Sequence, residues 1–420
     1  MSYKPLQYFS ILFLAITLMR DSVISFFPID GFLVGLIVAF AMISIVIWFG
    51  KKTNSFADSE LGICRFYLFW LVVCIVRGFF VAANYWEYKQ LVSGSLALSM
   101  PLFVFYFKDP YNLFLTLQKW NNWIPLLFIC FLFWVTPLGG YAFLLTPFLF
   151  YGCFFMFLSY KWKIFVGVIL IIMLLGDIGA RSQVIKATAT ILCAIFLYLY
   201  KCQIAKFFWL KVISWMFFVG PIILLILGVS GSFNIFKDSI SNPESSRYIQ
   251  SKKINGRIVE ENLTTDTRTF IYEEVFSSAI NNDYVIWGRT PARGNDSDWF
   301  GWFLAENLKT GKYERHFNEL CHLNVFTWLG LIGLLLHCSI YFLASYRAVY
   351  CSNNIFVNCI GVMVAFNWAL GWIENCTRFD MTNLTIWIMI SICLSKQFRE
   401  MNDNQFQYWF KSLFDRKYLL

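Results

Sequence analysis

Long apolar runs, separated by short polar stretches, recur from end to end of this chain. Each run approaches the ~20 residues that an α-helix needs to cross a hydrocarbon core. The pattern predicts about 12 spans, over 8–27, 32–49, 64–83, 91–107, 122–136, 140–159, 164–180, 184–200, 207–229, 321–345, 355–372 and 382–395. Composition agrees: 59% of the residues are hydrophobic and 14% charged, with 47 Phe and 17 Trp, far more apolar surface than a soluble domain of this length needs. The first run carries Arg20 and Asp21 and lacks a small-residue cleavage pattern, so it reads as a first helix rather than a cleaved signal. The 12 Cys fall mostly one at a time inside apolar runs, with no CxxC pair, and read as small packing residues.

Loop charge sets the expected orientation. With a cytoplasmic N-terminus, the inner side holds Lys4, Lys51, Lys52, Arg65, Lys108, Lys119, Lys161, Lys163, Lys201, Lys206, Lys211 and Arg347, and the tail adds five more cations. The short outer loops then hold only Arg20, Arg77, Lys89, Arg181, Lys186 and Arg378. The expected fold is therefore an all-α integral membrane protein with both termini inside and one large extracytoplasmic loop. Its parts are helices one to nine (1–229), the loop with short amphipathic helices (230–320), helices ten to twelve (321–395) and a cytoplasmic tail (396–420). The net charge of +9 comes largely from inner anchors and implies no nucleic acid partner. Lysine dominates the inner side, whereas the outer positions favour arginine, which grips phosphate with two parallel hydrogen bonds.

The loop opens with polar sequence, Ser239 to Asn262, that reads as irregular. In "TDTRTFIYEEVFSSAI", Asp266 is an expected N-cap, and Ile271, Val275 and Ala279 recur at helical spacing. "NDSDWFGWFLAENLKTG" follows, its Asp296 and Asp298 reading as a cap. Its Trp299, Phe300, Trp302 and Phe303 suit a short helix in the headgroup layer.

One stretch departs from the apolar rule. "LLGDIGARSQVIKATATI" places Asp177, Arg181 and Lys186 beside the membrane, where charges are costly and either pair with one another or line a cavity. Asp177 and Arg181 at i,i+4 spacing fit a local ion pair; Arg181 equally fits an anion site, with Asp177 orienting it. Two further stretches matter. "RTFIYEEVFSSAINNDYVIWGR" puts Arg268 at the head of a helix and Gly288 after a turn, and "NELCHLNVFTWLGLIGLLL" puts His322 and Asn324 at the mouth of a span.

In this order, the three stretches resemble the O-antigen polymerase and O-antigen ligase superfamily of bacterial surface-polysaccharide assembly. The resemblance covers about 165–345, with Ala180-Arg181-Ser182 where that family often has Ser-Arg-Gly. It implies a GT-C-like membrane fold in the bacterial inner membrane and an inverting glycosyl transfer at its outer face. The donor would be an oligosaccharide on undecaprenyl pyrophosphate and the acceptor a sugar hydroxyl of another lipid-linked repeat. The implied partners are that lipid-linked glycan, membrane lipid and a chain-length regulator; no cofactor is implied.

Such a reaction has two demands. Charge growing on the departing pyrophosphate must be offset, and fixed arginines do this. Arg181 and Arg268 match the family's arginine positions, with Arg289, Arg77 and Arg378 in reserve. Each of the reserve three also fits an interfacial anchor or a local pair, such as Arg378 with Glu374. No DxD-like cluster marks an outer helix end, so no metal is expected. The acceptor hydroxyl must also lose its proton, which calls for a base. His322 matches the family's histidine, and Glu319, one turn earlier, is the rival base or orienting partner. His337 reads as a core residue and His316 as solvated. Asn324, Asp177 and Trp287 are candidate substrate contacts, the outer aromatics fitting equally well as an interfacial belt. A ligase would use the same residues to pass the glycan to lipid A core or protein. A flippase is the alternative of another class, which internal repeats would favour; none is evident.

Overall fold

The computed structural model describes residues 31–127, 148–175, 181–229, 249–254, 257–262, 267–297, 301, 305 and 311–414. The chain is a helical membrane protein. Among the described residues, six helices are long and apolar enough to cross a membrane: Gly35–Lys52, Ser59–Val81, Tyr85–Phe107, Arg181–Lys201, Phe208–Leu227 and Cys321–Tyr350. Two apolar helices, Ile355–Leu370 and Met381–Leu394, are shorter. The expected span 8–27, most of 122–136 and the first part of 140–159 lie outside the described residues.

The helices used below are α1 (Gly31–Lys52), α2 (Gly62–Val81), α3 (Tyr85–Leu98), α4 (Val104–Phe107), α5 (Pro110–Leu127), α6 (Leu149–Cys153), α7 (Tyr160–Leu175), α8 (Arg181–Lys201) and α9 (Phe208–Val229). In the second half come α10 (Thr267–Asn281), α11 (Cys321–Tyr350), α12 (Ile355–Leu370), α13 (Met381–Leu394), α14 (Lys396–Glu400) and α15 (Asp403–Ser412). Nearly every residue of α12 and α13 is buried, so these two form the centre of the bundle. α1, α2 and α9 turn apolar side chains outward, among them Phe66, Phe69, Phe80, Met216 and Ile223. Such a surface is stable against acyl chains, not water.

Three elements differ from the sequence expectation. The run 91–107, part of the helical span Tyr85–Phe107, is not α-helical throughout: α3 ends at Leu98, a 3₁₀ turn covers Met100–Phe103, and α4 resumes. Pro101 has no N–H to continue an α-helical ladder, which accounts for the break. The stretch taken as irregular contains an antiparallel ribbon, β1 (Ile249–Ile254) with β2 (Arg257–Asn262), in the register Ile254↔Arg257 to Ile249↔Asn262. Asn255–Gly256 between them is the two-residue hairpin signal that marks it in the sequence. After α13, the chain turns back under the bundle: Phe406 and Phe410 of α15 are buried, Phe406 5.2 Å from the Phe356 ring and Phe410 5.0 Å from Phe154.

α11 is two helices joined at a break. Gly330 sits at φ 68° and ψ −170°, outside helical geometry. A break frees carbonyls before it and N–H groups after it, and inside a membrane each needs a partner. The segment 285–290 supplies them. Arg289 N donates to Thr327 O (2.7 Å) and Thr290 N to Trp328 O (3.0 Å), while Leu331 N donates to Val285 O (2.8 Å). Trp70 Nε1, from α2, donates to Leu329 O at 2.9 Å. Gly288, at φ 69°, lies so close to Gly330 that a Cβ on either would come within 2.4 Å of the other's backbone nitrogen. The long loop is thus keyed into a membrane helix, backbone to backbone.

Candidate functional site

The turn joining α12 to α13, 371–380, is where the expected site elements meet. α11 begins at Cys321 with no side-chain cap. Its first N–H groups are satisfied by that turn: Cys321 N donates to Glu374 O (2.9 Å) and His322 N to Gly371 O (3.3 Å). From α10, Tyr272 Oη donates to Trp372 O at 2.5 Å. From α8, Lys186 Nζ reaches Glu374 Oε2 at 2.7 Å, and Gln183 Nε2 donates to Glu374 Oε1 at 3.3 Å. Asn324 Nδ2 donates to Thr377 Oγ1 (2.8 Å), and the same amide binds Asn318 of the loop through both its oxygen and its nitrogen. α8, α10, α11 and α13 all start around this turn. The N–H groups opening α11 are taken by carbonyls of the turn and Asp380 caps α13, so an anion here would meet side-chain cations more than free helix N–H groups.

His322 is 1% exposed. Its Nε2 lies 2.9 Å from Trp368 O, an atom that only accepts, so Nε2 is the donor of that pair and the other ring nitrogen is Nδ1. That Nδ1 and the buried Nε1 of Trp372 have no hydrogen-bond partner among the described residues. The Trp372 ring covers the imidazole at 4.5 Å, and the His337 ring lies 6.0 Å away in the core. A Cβ on Gly371 would fall 2.7 Å from His322 Nε2, which accounts for glycine there. Glu319 is the opposite case: it is 68% exposed, with Arg315 at 3.6 Å.

The expected arginines divide into two groups. Arg181 opens α8 two residues before Gln183 and is exposed; Arg378, in the turn itself, is also exposed. Arg268 stands in the first turn of α10, one helical turn before Tyr272. Arg181 and Arg378 thus lie on elements that touch the turn, and Arg268 opens the helix that supplies Tyr272 to it. Arg77 and Arg289 do not join them, because their donors are already engaged. Arg77 donates to Trp287 O (2.7 Å) and Gly288 O (3.2 Å), bracing the segment that fills the helix break. Arg289 binds Asp296 Oδ1 (2.6 Å), Gly294 O (2.8 Å) and Asn282 Oδ1 (3.0 Å). Trp287 is half exposed, its ring 5.4 Å from Trp70, and belongs to the same brace. Asp177 lies outside the described residues, as do Asp266, Asp298, Trp299, Phe300, Trp302 and Phe303.

Several local readings change. Glu374 does not pair with Arg378; Lys186, 4% exposed, takes it across the bundle. A buried lysine needs a carboxylate more than an exposed arginine does. Asp296 is not a helix cap but part of a short ribbon, β3 (Asn295–Asp296) with β4 (Glu314–Arg315), and an acceptor for Arg289. His316 is half-buried, not solvated, and burial lowers its pKa below the ordinary imidazole value. Around it, Glu314 accepts a bidentate pair from Arg293, holding that guanidinium above its usual pKa, and Lys312 pairs with the buried Glu87 of α3. Burial likewise pushes the Tyr284 phenol up to about 12. These loop pairs, and Lys186–Glu374, escape sequence reading because their partners stand far apart in the chain.

Inward of Lys186, a cavity of about 20 Å³ is lined by Asn367, Thr382, Thr385 and apolar side chains. That is room for roughly one water. No group of three His, Cys, Asp or Glu side chains is gathered for a metal ion among the described residues. Compared with known proteins, the chain matches no family model, no curated protein and no solved structure.

Proposed function

We propose that the chain is a polysaccharide polymerase of the O-antigen type in the bacterial inner membrane, with about 12 GT-C-like spans and the loop-bearing end outside. It would transfer a glycan from undecaprenyl pyrophosphate to a sugar hydroxyl of a second lipid-linked repeat. One observation carries this reading: α8, α10 and α11 all bond to the turn 371–380, and Arg181 opens α8, Arg268 opens α10 and the exposed Arg378 lies in the turn itself. A diphosphate is the ligand that such a concentration of positive charge suits. The opposite end, with exposed Lys51, Lys52, Lys201 and Lys206, fits the cytoplasmic side.

In the transfer, the acceptor oxygen bonds to the anomeric carbon as the bond to pyrophosphate breaks, and the electron pair leaves with the phosphate oxygen. The three arginines offset that charge. The acceptor's proton passes to Glu319, the exposed carboxylate at the start of α11. His322, beneath Trp372, positions the turn through Trp368 and Gly371. The tests are Arg181→Ala, Arg268→Ala and Arg378→Ala in a polymerase-deficient strain and in membranes supplied with lipid-linked repeats. Each should lower transfer by about 100-fold at equal expression, the effect of removing one fixed donor from a developing anion. Wild-type rates in all three would overturn the reading. Full chains left on undecaprenyl pyrophosphate in a deletion strain would point to a ligase instead.

A further inference from the structure

At the end of the bundle remote from the loop, α8 finishes at Lys201 and α9 starts at Phe208. Between this connection and the starts of α12 and α15 lies a cleft of about 640 Å³. Its walls are of two kinds. Phe157, Leu197, Phe207 and Phe356 give an apolar side; Lys201, Lys206 and Asp403 give a charged rim. Neither lysine forms an ion pair with Asp403 among the described residues, so the rim presents cations and a carboxylate apart from one another. Asp403 is fixed in place, its Oδ1 accepting from Ile355 N at 2.8 Å.

We propose that this cleft binds an aminophospholipid of the phosphatidylethanolamine type, its phosphate between Lys201 and Lys206, its ammonium on Asp403 and an acyl chain along the aromatic wall. A purely anionic headgroup would meet Asp403 as a repulsion. A quaternary headgroup carries the charge but has no N–H to donate to the carboxylate. Only a headgroup with both a phosphate and a primary ammonium answers every charge on the rim. The inference does not depend on the polymerase reading.

Native mass spectrometry of the delipidated full chain in detergent tests it, with phosphatidylethanolamine, phosphatidylglycerol and phosphatidylcholine of equal chain length. The ethanolamine lipid should bind about tenfold tighter than the choline lipid, the worth of one charge-assisted hydrogen bond. Asp403→Asn keeps the acceptor for Ile355 N and should erase that preference. Lys201→Gln with Lys206→Gln should weaken binding of all three lipids. Lys51→Gln with Lys52→Gln, at the end of α1, removes equal charge elsewhere and should change nothing. Equal binding of the ethanolamine and choline lipids by the unaltered chain would overturn the proposal. So would a preference for the glycerol lipid, or a loss in the α1 control as large as in the cleft variant.

Discussion

The two ends of the bundle handle charge differently. At the loop-bearing end, ionic groups hold irregular backbone and one another: Lys186 with Glu374, Arg293 with Glu314, Lys312 with Glu87, and Arg77 on the carbonyls of Trp287 and Gly288. At the other end, Glu60 gathers Arg347 (2.9 Å) and Arg399 (2.7 Å), Asp58 takes Lys108, and Lys51, Lys52, Lys201 and Lys206 stay exposed. The first end places broken helices and a long loop where backbone groups need partners. The second mostly joins helix ends by short connections. Where backbone is irregular at the membrane, charge is spent on structure as well as on any ligand. An arginine count therefore overstates how many arginines remain for substrate.

The largest effect should follow from opening Lys186–Glu374. Glu374→Ala leaves a buried lysine without its carboxylate and should cost about 3–5 kcal/mol, read by thermal unfolding in detergent. Pairing Lys186→Met with Glu374→Gln removes both charges and should regain most of that. If the double variant is as unstable as the sum of the singles, the pair does not organise this end. Next in size, Gly330→Ala forces φ 68° on a residue with a Cβ, at about 1–3 kcal/mol, and drives that carbon to 2.2 Å from Ile286 O. The 285–290 segment must then move, and limited proteolysis should cut the loop faster. An unchanged digestion pattern would mean that the loop is not held by the helix break.

How much of this was open to sequence reading depends on the range of the interaction. The apolar runs marked the helices, and Ile271, Val275 and Ala279 are buried along one face of α10 as their spacing requires. His316 reads as solvated because its neighbours are charged, while its burial comes from packing. Gly330 was visible, but "LGLIGLLL" is equally compatible with an unbroken helix; the break shows only once Gly288 is placed against it. Glu374 found Lys186 rather than Arg378 because tertiary packing, not spacing along a helix, decides which cation is buried beside it. The turn 371–380, to which α8, α10 and α11 all bond, carries no motif of its own.

Smaller again, Arg77→Ala removes two charged hydrogen bonds from the partly exposed brace and should cost about 1–2 kcal/mol. Arg77→Lys should recover little, since an ammonium cannot reach both carbonyls in the guanidinium's fork geometry. Full recovery by lysine would mean that charge alone matters there. By contrast, Lys51→Gln at the opposite end should shift unfolding by less than about 0.5 kcal/mol. A larger loss would erase the contrast between the ends.

The smallest effect is a pH dependence confined to the loop-bearing end. Burial depresses the pKa of His316 in the folded chain, while the unfolded chain titrates near 6.5. Between those two values the unfolded state binds more protons, so stability rises with pH. The contribution is complete above the unfolded value and is lost as the pH falls from about 6.5 through the lower folded value. His316→Gln cannot titrate, so its unfolding temperature should fall less than that of the unaltered chain between about pH 7.5 and about pH 5.5. The same loss in both proteins would place the acid sensitivity elsewhere, the candidates being the Glu314–Arg293 and Glu87–Lys312 pairs that face the imidazole. Since Glu314 pulls the imidazole's pKa back up, Glu314→Gln should deepen the acid loss that His316 causes, and removing both should abolish it.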